Sequence, residues 1–215
     1  MPTEGNNAMS TELVVVRHGE TVWHAENRYA GRSDVELTDT GLAQAAELGA
    51  WASTADLVGL FCSPLRRSRR TALAVTERTG IQPVVDERLT ELDFGAGEGL
   101  TSAEMAQQLG AARDRFVADP VAHHLPGGED PVLAARRGLA GLVAAAETAP
   151  GGRVLVVAHN TLLRLVLCEV LGIPLSRYRR AFPSVGNCRG ARLRYRDGEF
   201  GLLALNEPLT STSNR

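Results

Sequence analysis

Cysteine is scarce in this chain of 215 residues: Cys62, Cys168 and Cys188 are widely spaced, with no Cys-x-x-Cys pair. That odd, scattered set excludes a disulfide framework and a cysteine-held metal, and it reads as reduced thiols in a cytoplasmic protein. An excess of either charge is also missing. With 23 basic and 25 acidic residues the formal net charge is −2, which offers no general attraction for nucleic acid or an anionic membrane. No apolar run approaches the ~18 residues of a membrane span, and the opening eleven residues lack the basic and apolar regions of a secretory signal. What is present, 44% hydrophobic and 22% charged residues, suits a globular chain that buries one sizeable core.

Two apolar runs organise that core. Leu13-Val14-Val15-Val16 reads as a strand buried on both faces and stops at Arg17-His18-Gly19; Val154-Leu155-Val156-Val157-Ala158 does the same and stops at His159-Asn160. In an open α/β sheet ligands bind beyond the carboxyl ends of parallel strands. Parallel pairing of these two strands would set His18 and His159 across one crevice. Either polar end alone is equally consistent with the start of a solvated loop.

Between them the pattern alternates. Residues 22–40 read as a long polar loop, 41–51 as a helix rich in small residues, and 57–61 as a short strand. Ser63-Pro64 predicts a capped helix over 64–77. This helix carries Arg66, Arg67, Arg69 and Arg70, which fit a solvated face, although Arg67 in the first turn fits an anion site equally well. An extended piece at 83–86 leads into a glycine-rich loop over 89–99. Thr101 and Glu104 form a capping box for helical material to about Asp119, and Asp130-Pro131 opens an alanine-rich helix to about Ala149. After the second strand a helix is expected over 162–171, then strands 192–196 and 200–205 about a turn at Asp197-Gly198. Arg177, Arg179 and Arg180 read as another solvated charge run. The expected fold is α/β: a single three-layer α/β/α domain over 12–206 with a mostly parallel central sheet, flanked by tails at 1–11 and 207–215.

Two histidines, two arginines and a loop carboxylate suit phosphoryl transfer. An imidazole can attack phosphorus, guanidiniums can hold its oxygens in bidentate fashion, and a carboxyl group can handle the proton. The residues carrying this chemistry resemble a known family. Arg17-His18-Gly19-Glu20-Thr21 with Trp23, then Arg28, Gly31, Asp34, Leu37-Thr38 and Gly41, resemble the signature of the histidine phosphatase superfamily, phosphoglycerate-mutase-like branch. The match resumes at Ser63-Pro64-Leu65 with Arg67, at Glu91, Phe94-Gly95 and Glu98-Gly99, at Pro126-Gly127-Gly128-Glu129, and at Ala158-His159 with Arg164.

The resemblance implies a phosphohistidine on His18, a phosphoryl grip by Arg17, Arg67 and His159, and Glu91 as proton donor and then general base, with no metal and no cofactor. Two positions depart from it. His24 stands where the family has a phosphate-touching asparagine, and a histidine there would make the contact pH-dependent. Asn160 replaces a glycine; its backbone N–H can still meet phosphate while its side chain narrows the pocket. The substrate pocket is assigned to Thr21, Arg28, Ala30, Gly31 and Phe94, and Trp23 and Trp51 to packing. Glu91 and His159 are 68 positions apart, and Arg113 and Arg115 are the only cations over 99–132, so no basic lid of the mutase kind is expected. The reading is a cytoplasmic phosphatase of small phosphorylated metabolites, compatible with a homodimer. Its alternatives are a bisphosphoglycerate-dependent phosphoglycerate mutase and a non-catalytic phospholigand-binding module.

Overall fold

A computed structural model describes residues 9–210. Its six strands are β1 (Thr11–Arg17), β2 (Leu57–Cys62), β3 (Val84–Val85), β4 (Arg153–Ala158), β5 (Arg189–Arg196) and β6 (Glu199–Pro208). They form one sheet in the order β3-β2-β4-β1-β5-β6. The first four pair in parallel, while β5 and β6 add an antiparallel edge. The sheet is therefore mixed, with the parallel part at the positions that carry the histidines.

The helices are α1 (Asp39–Ala52), α2 (Arg66–Thr79), α3 (Ser102–Leu109), α4 (Ala111–Ala118), α5 (Pro131–Glu147), α6 (Asn160–Leu171) and α7 (Tyr178–Ala181). They cover both sheet faces. Leu13, Val15, Val154 and Val156 face a core shared with α5 and α6, whereas Val14, Val16, Leu155 and Val157 face one shared with α1 and α2. This two-sided burial explains the unbroken apolar runs, each fully buried side chain contributing about 1.5–3 kcal/mol of transfer free energy.

Several boundaries differ from expectation for local reasons. The helix expected from Gly41 starts at Asp39, because the Thr38 hydroxyl accepts the Gly41 N–H and caps it. The helix expected from Pro64 starts at Arg66: Ser63 Oγ accepts only the Leu65 N–H, and the Asp34 carboxylate, from the preceding loop, accepts that of Arg66. Gly110, at φ 48° and ψ −124°, divides α3 from α4. A short 3₁₀ turn at Leu175–Arg177 and helix α7 follow Pro174, where no element was expected. Residues 1–8 and 211–215 of the expected tails lie outside the described residues. Thr11 belongs to the sheet, its hydroxyl donating to Ala146 O and Ala149 O, and β6 runs on to Pro208. No helix of the described residues is long and apolar enough to cross a membrane.

Candidate active site

The register Arg17↔Ala158 ends β1 and β4 side by side, and the His18 N–H donates to Ala158 O at 3.0 Å. The two imidazoles that follow lie 5.1 Å apart between centroids. The loop after β1 is pinned against α1 by a close backbone approach: a Cβ on Gly19 would stand 2.5 Å from Gly41 O, and one on Gly41 would stand 2.0 Å from Glu20 O. Only glycine fits at either position.

His18 has one tautomer that satisfies its neighbours. Nδ1 lies 2.7 Å from Gly19 O and must donate to it, leaving Nε2 as the lone-pair nitrogen. Arg67 Nε donates to that nitrogen at 3.2 Å. Burial, then the cations Arg67 and Arg17, push the His18 pKa well below the usual histidine value, so the ring is neutral.

Arg67 is 1% exposed, yet its charge is well met. Besides His18, its guanidinium donates to Ser33 O at 2.7 Å, Gly31 O at 2.7 Å and Ala30 O at 3.1 Å. Those carbonyls are held in turn by Glu98, whose carboxylate accepts the N–H groups of Gly31, Arg32, Ser33 and Phe94 and the Ser33 hydroxyl. A loop without secondary structure thus becomes a rigid socket. Gly31 belongs to this socket and not to the pocket wall expected of it: a Cβ there would stand 2.0 Å from Glu98 Oε1.

Glu91 substitutes for the side-chain cap that α6 lacks. Its carboxylate accepts the N–H groups of Thr161 (2.9 Å, Oε2), Leu162 (2.8 Å, Oε1) and Leu92 (2.8 Å, Oε1). Oε1 is saturated, whereas Oε2 keeps a lone pair free to carry a proton. Burial raises the Glu91 pKa and outweighs the opposing hydrogen bonds, and the site is 4% exposed. The backbone leading to Glu91 is fixed by Arg137, which pairs with Glu129 at 2.7 Å and donates to the carbonyls of Arg88, Thr90 and Glu91.

His24 lines the same cavity but spends its nitrogens on protein partners. Nε2 accepts from Arg17 at 2.5 Å, and Nδ1 lies 2.8 Å from the Thr21 hydroxyl. The Thr21 N–H also donates to Nδ1 at 3.0 Å, so donors face both ring nitrogens. Arg17 also donates to Val185 O at 3.0 Å, while its Nε is buried without a partner. Burial foremost lowers the Arg17 pKa to about 10, with Arg164 and Arg67 contributing against Glu91, so it stays charged at neutral pH.

The cavity encloses about 210 Å³. Of the expected site residues, Arg17, His18, Thr21, His24, Arg28, Ala30, Glu91, Phe94 and Asn160 line it, whereas Arg67 and His159 stand behind that wall. Arg28 is already neutralised by Glu26 and Glu104. Sequence reasoning gave no site role to Asn27, Tyr29, Thr161, Tyr178 and Arg179, quoted Arg164 only as part of the family match, and assigned the lining residue Trp23 to packing. A site role for Arg164 could have been found, because it shares a helix face with Asn160 at i+4; nothing local marks Arg179. Buried polar side-chain atoms without a partner among the described residues are Arg17 Nε, both nitrogens of His159, Asn160 Oδ1, Arg164 Nε and Arg113 Nε. All but the last belong to this site, so its unused hydrogen-bonding capacity converges where a ligand would sit.

The layered sheet with this crevice at its carboxyl edge is the phosphoglycerate-mutase-like α/β architecture. It is shared with Bacillus stearothermophilus YhfR (TM-score 0.86, 28% identity, covering 92% of this chain and 98% of that one). A mycobacterial glucosyl-3-phosphoglycerate phosphatase superposes at TM-score 0.82 with 27% identity, covering 93% of this chain and all of the other. Residues 13–208 match the histidine phosphatase superfamily, branch 1, and the chain belongs to that family. Among curated relatives, a probable phosphoglycerate mutase GpmB of Klebsiella pneumoniae is 34% identical over 189 residues, 88% of this chain and 87% of the relative.

Proposed function

We propose that the protein is a phosphatase of small phosphomonoesters that works through a phosphohistidine on His18. The observation that carries this reading is the fixed tautomer of His18, with Nε2 unprotonated beside Arg67 and the cavity holding Glu91. In the first step Nε2 forms a bond to phosphorus as the ester P–O bond breaks, and Glu91 Oε2 delivers its proton to the departing oxygen. In the second, the Glu91 carboxylate takes a proton from water as its oxygen attacks phosphorus, and the N–P bond breaks to release phosphate. Arg17, whose Nε has no protein partner, lines the cavity as the donor for the equatorial oxygens, and the attack frees Arg67 Nε from the His18 Nε2 lone pair to join it, with His159 behind them. The Asn160 N–H at the first turn of α6 adds the helix-end dipole.

A mutase is the second reading, favoured by the name of the GpmB relatives. It would need a bisphosphorylated partner to rephosphorylate the enzyme, and the segment between Glu91 and α5 supplies only the small helices α3 and α4 as cover. Steady-state assay with p-nitrophenyl phosphate, with acid-quench trapping of a phosphoenzyme, tests the phosphatase. Turnover is expected in the wild type and a loss of about 10⁴-fold or more in His18→Ala. Turnover that survives this substitution would overturn the reading. Interconversion of 2- and 3-phosphoglycerate faster than their hydrolysis would install the mutase instead.

A further inference from the structure

Four arginines line the cavity, and they are not equivalent. Arg17 belongs to the phosphoryl end, and Arg28 is spent on Glu26 and Glu104. Arg164 and Arg179 form no ion pair among the described residues. Arg164, one turn into α6, donates to Pro183 O at 2.9 Å and keeps a buried, unpartnered Nε. Arg179 donates to the Tyr178 hydroxyl at 3.0 Å, and its guanidinium lies 4.7 Å from the Phe116 ring centroid, which fixes its plane. Both line the one cavity, where burial chiefly lowers the Arg164 pKa, Tyr178 and Glu91 counter it, and the Arg179 charge adds to it. Arg164 opposes Arg17 in the same way. Arg17, Arg164 and Arg179 thus line one cavity whose single lining carboxylate, Glu91, is already bound by α6. Two such cations side by side are unfavourable unless an anion joins them.

We infer that Arg164 and Arg179 form a second anion subsite, so that the substrate is a phosphomonoester whose leaving portion carries its own carboxylate or second phosphate. The inference rests on the phosphatase reading above for which end is cleaved: the transferred phosphoryl group meets His18, and the second anion spans Arg164 and Arg179. The cavity volume of about 210 Å³ admits a small metabolite of this kind.

Two substrate pairs isolate the second charge. 3-Phosphoglycerate and glycerol 1-phosphate differ by a carboxylate in place of a hydroxymethyl group, and fructose 1,6-bisphosphate and fructose 6-phosphate differ by a phosphate. The wild type is expected to prefer the charged member of one pair by about tenfold or more in kcat/KM, the pair identifying the anion. Arg164→Gln and Arg179→Gln should each bring that ratio towards one, lowering p-nitrophenyl phosphate turnover far less, while Arg164→Lys and Arg179→Lys retain most of the preference. Melting temperatures show whether each variant is folded. The same ratios, measured by calorimetric binding to His18→Ala protein, separate the two readings. Preferential binding without turnover in the wild type would sink the phosphatase and keep the subsite. Turnover of p-nitrophenyl phosphate with no preference in either pair, or equal losses on both members in the Gln variants, would overturn the subsite.

Discussion

At the inner end of the site His18, Arg67 and Glu91 are each at most 5% exposed; His18 is held by the Gly19 carbonyl and Arg67, Arg67 by the carbonyls of the 30–33 loop, and Glu91 by N–H groups of α6. At the outer end Arg164 and Arg179 are half-buried, and each makes a single hydrogen bond. The inner groups are therefore pre-oriented for a charge that is always the same, a phosphoryl group. The outer pair, held by fewer hydrogen bonds, faces whatever the phosphate is attached to. Chemistry and selectivity are placed on elements of different stiffness.

The sharpest way to break the inner end is Glu91→Gln. The amide cannot donate a proton to the leaving oxygen, and its NH₂ would confront one of the three N–H groups the carboxylate now accepts. For alkyl phosphates a loss of about 10²–10³-fold in kcat is expected. For p-nitrophenyl phosphate, which leaves without a proton, about tenfold is expected. Equal losses with both would argue that Glu91 serves only as the α6 cap. Next in size, Glu98→Ala removes the acceptor of five hydrogen bonds that shape the Arg67 socket. A stability loss of about 2–3 kcal/mol by denaturant titration is expected, with reduced kcat for every substrate alike. A change confined to one substrate would place Glu98 at the outer end instead.

Acid titration tests whether the inner end is as dry as its geometry implies. His18 and His159 have folded-state pKa values well below the ordinary 6.5, in both cases chiefly through burial. The unfolded chain therefore takes up protons first as pH falls below 6.5. Their contribution to stability is complete above that value and is lost progressively towards the lower folded-state values. Glu91, raised by burial, works in the opposite sense nearer its ordinary 4.5. The melting temperature is expected to decline on acidification from pH 6.5, less steeply in His18→Gln. An identical slope in the variant would show that His18 is not held neutral by the fold.

The same division decided what could be read from the chain alone. β1 and β4 are legible because burial on both faces demands unbroken apolar runs, and parallel pairing then joins their ends without further information. Glu91 and the glycines at 19 and 41 are legible through the family's order of motifs, and the structure supplies the reasons: a helix cap and a backbone contact. The outer end left no comparable trace. Arg177 and Arg180 are exposed, as a charge run predicts, but Arg179 between them is drawn inward by the rings of Phe116 and Tyr178. Phe116 is 63 positions away, so that contact has no local pattern.

His24 lies between the two regions, and its replacement carries the smallest expected effect. The sequence reading assigns it to phosphate binding in place of the family's asparagine, and its Nε2 accepts from Arg17, the phosphoryl-end arginine. Only the neutral ring can accept, and burial followed by the Arg17 charge lowers its pKa from 6.5, so this contact persists at neutral pH and fails under acid. An asparagine carries an amide oxygen able to accept from the same guanidinium and does not titrate. His24→Asn should therefore keep kcat/KM for p-nitrophenyl phosphate within about fivefold at neutral pH, with KM less sensitive to acid than in the wild type. His24→Leu, which leaves that Arg17 donor unpaired, should cost about tenfold. If the asparagine and leucine variants behaved alike at every pH, the hydrogen bond to Arg17 would have no part in holding the phosphoryl group, and the stiffness of the inner end would rest on Arg67 and α6 alone.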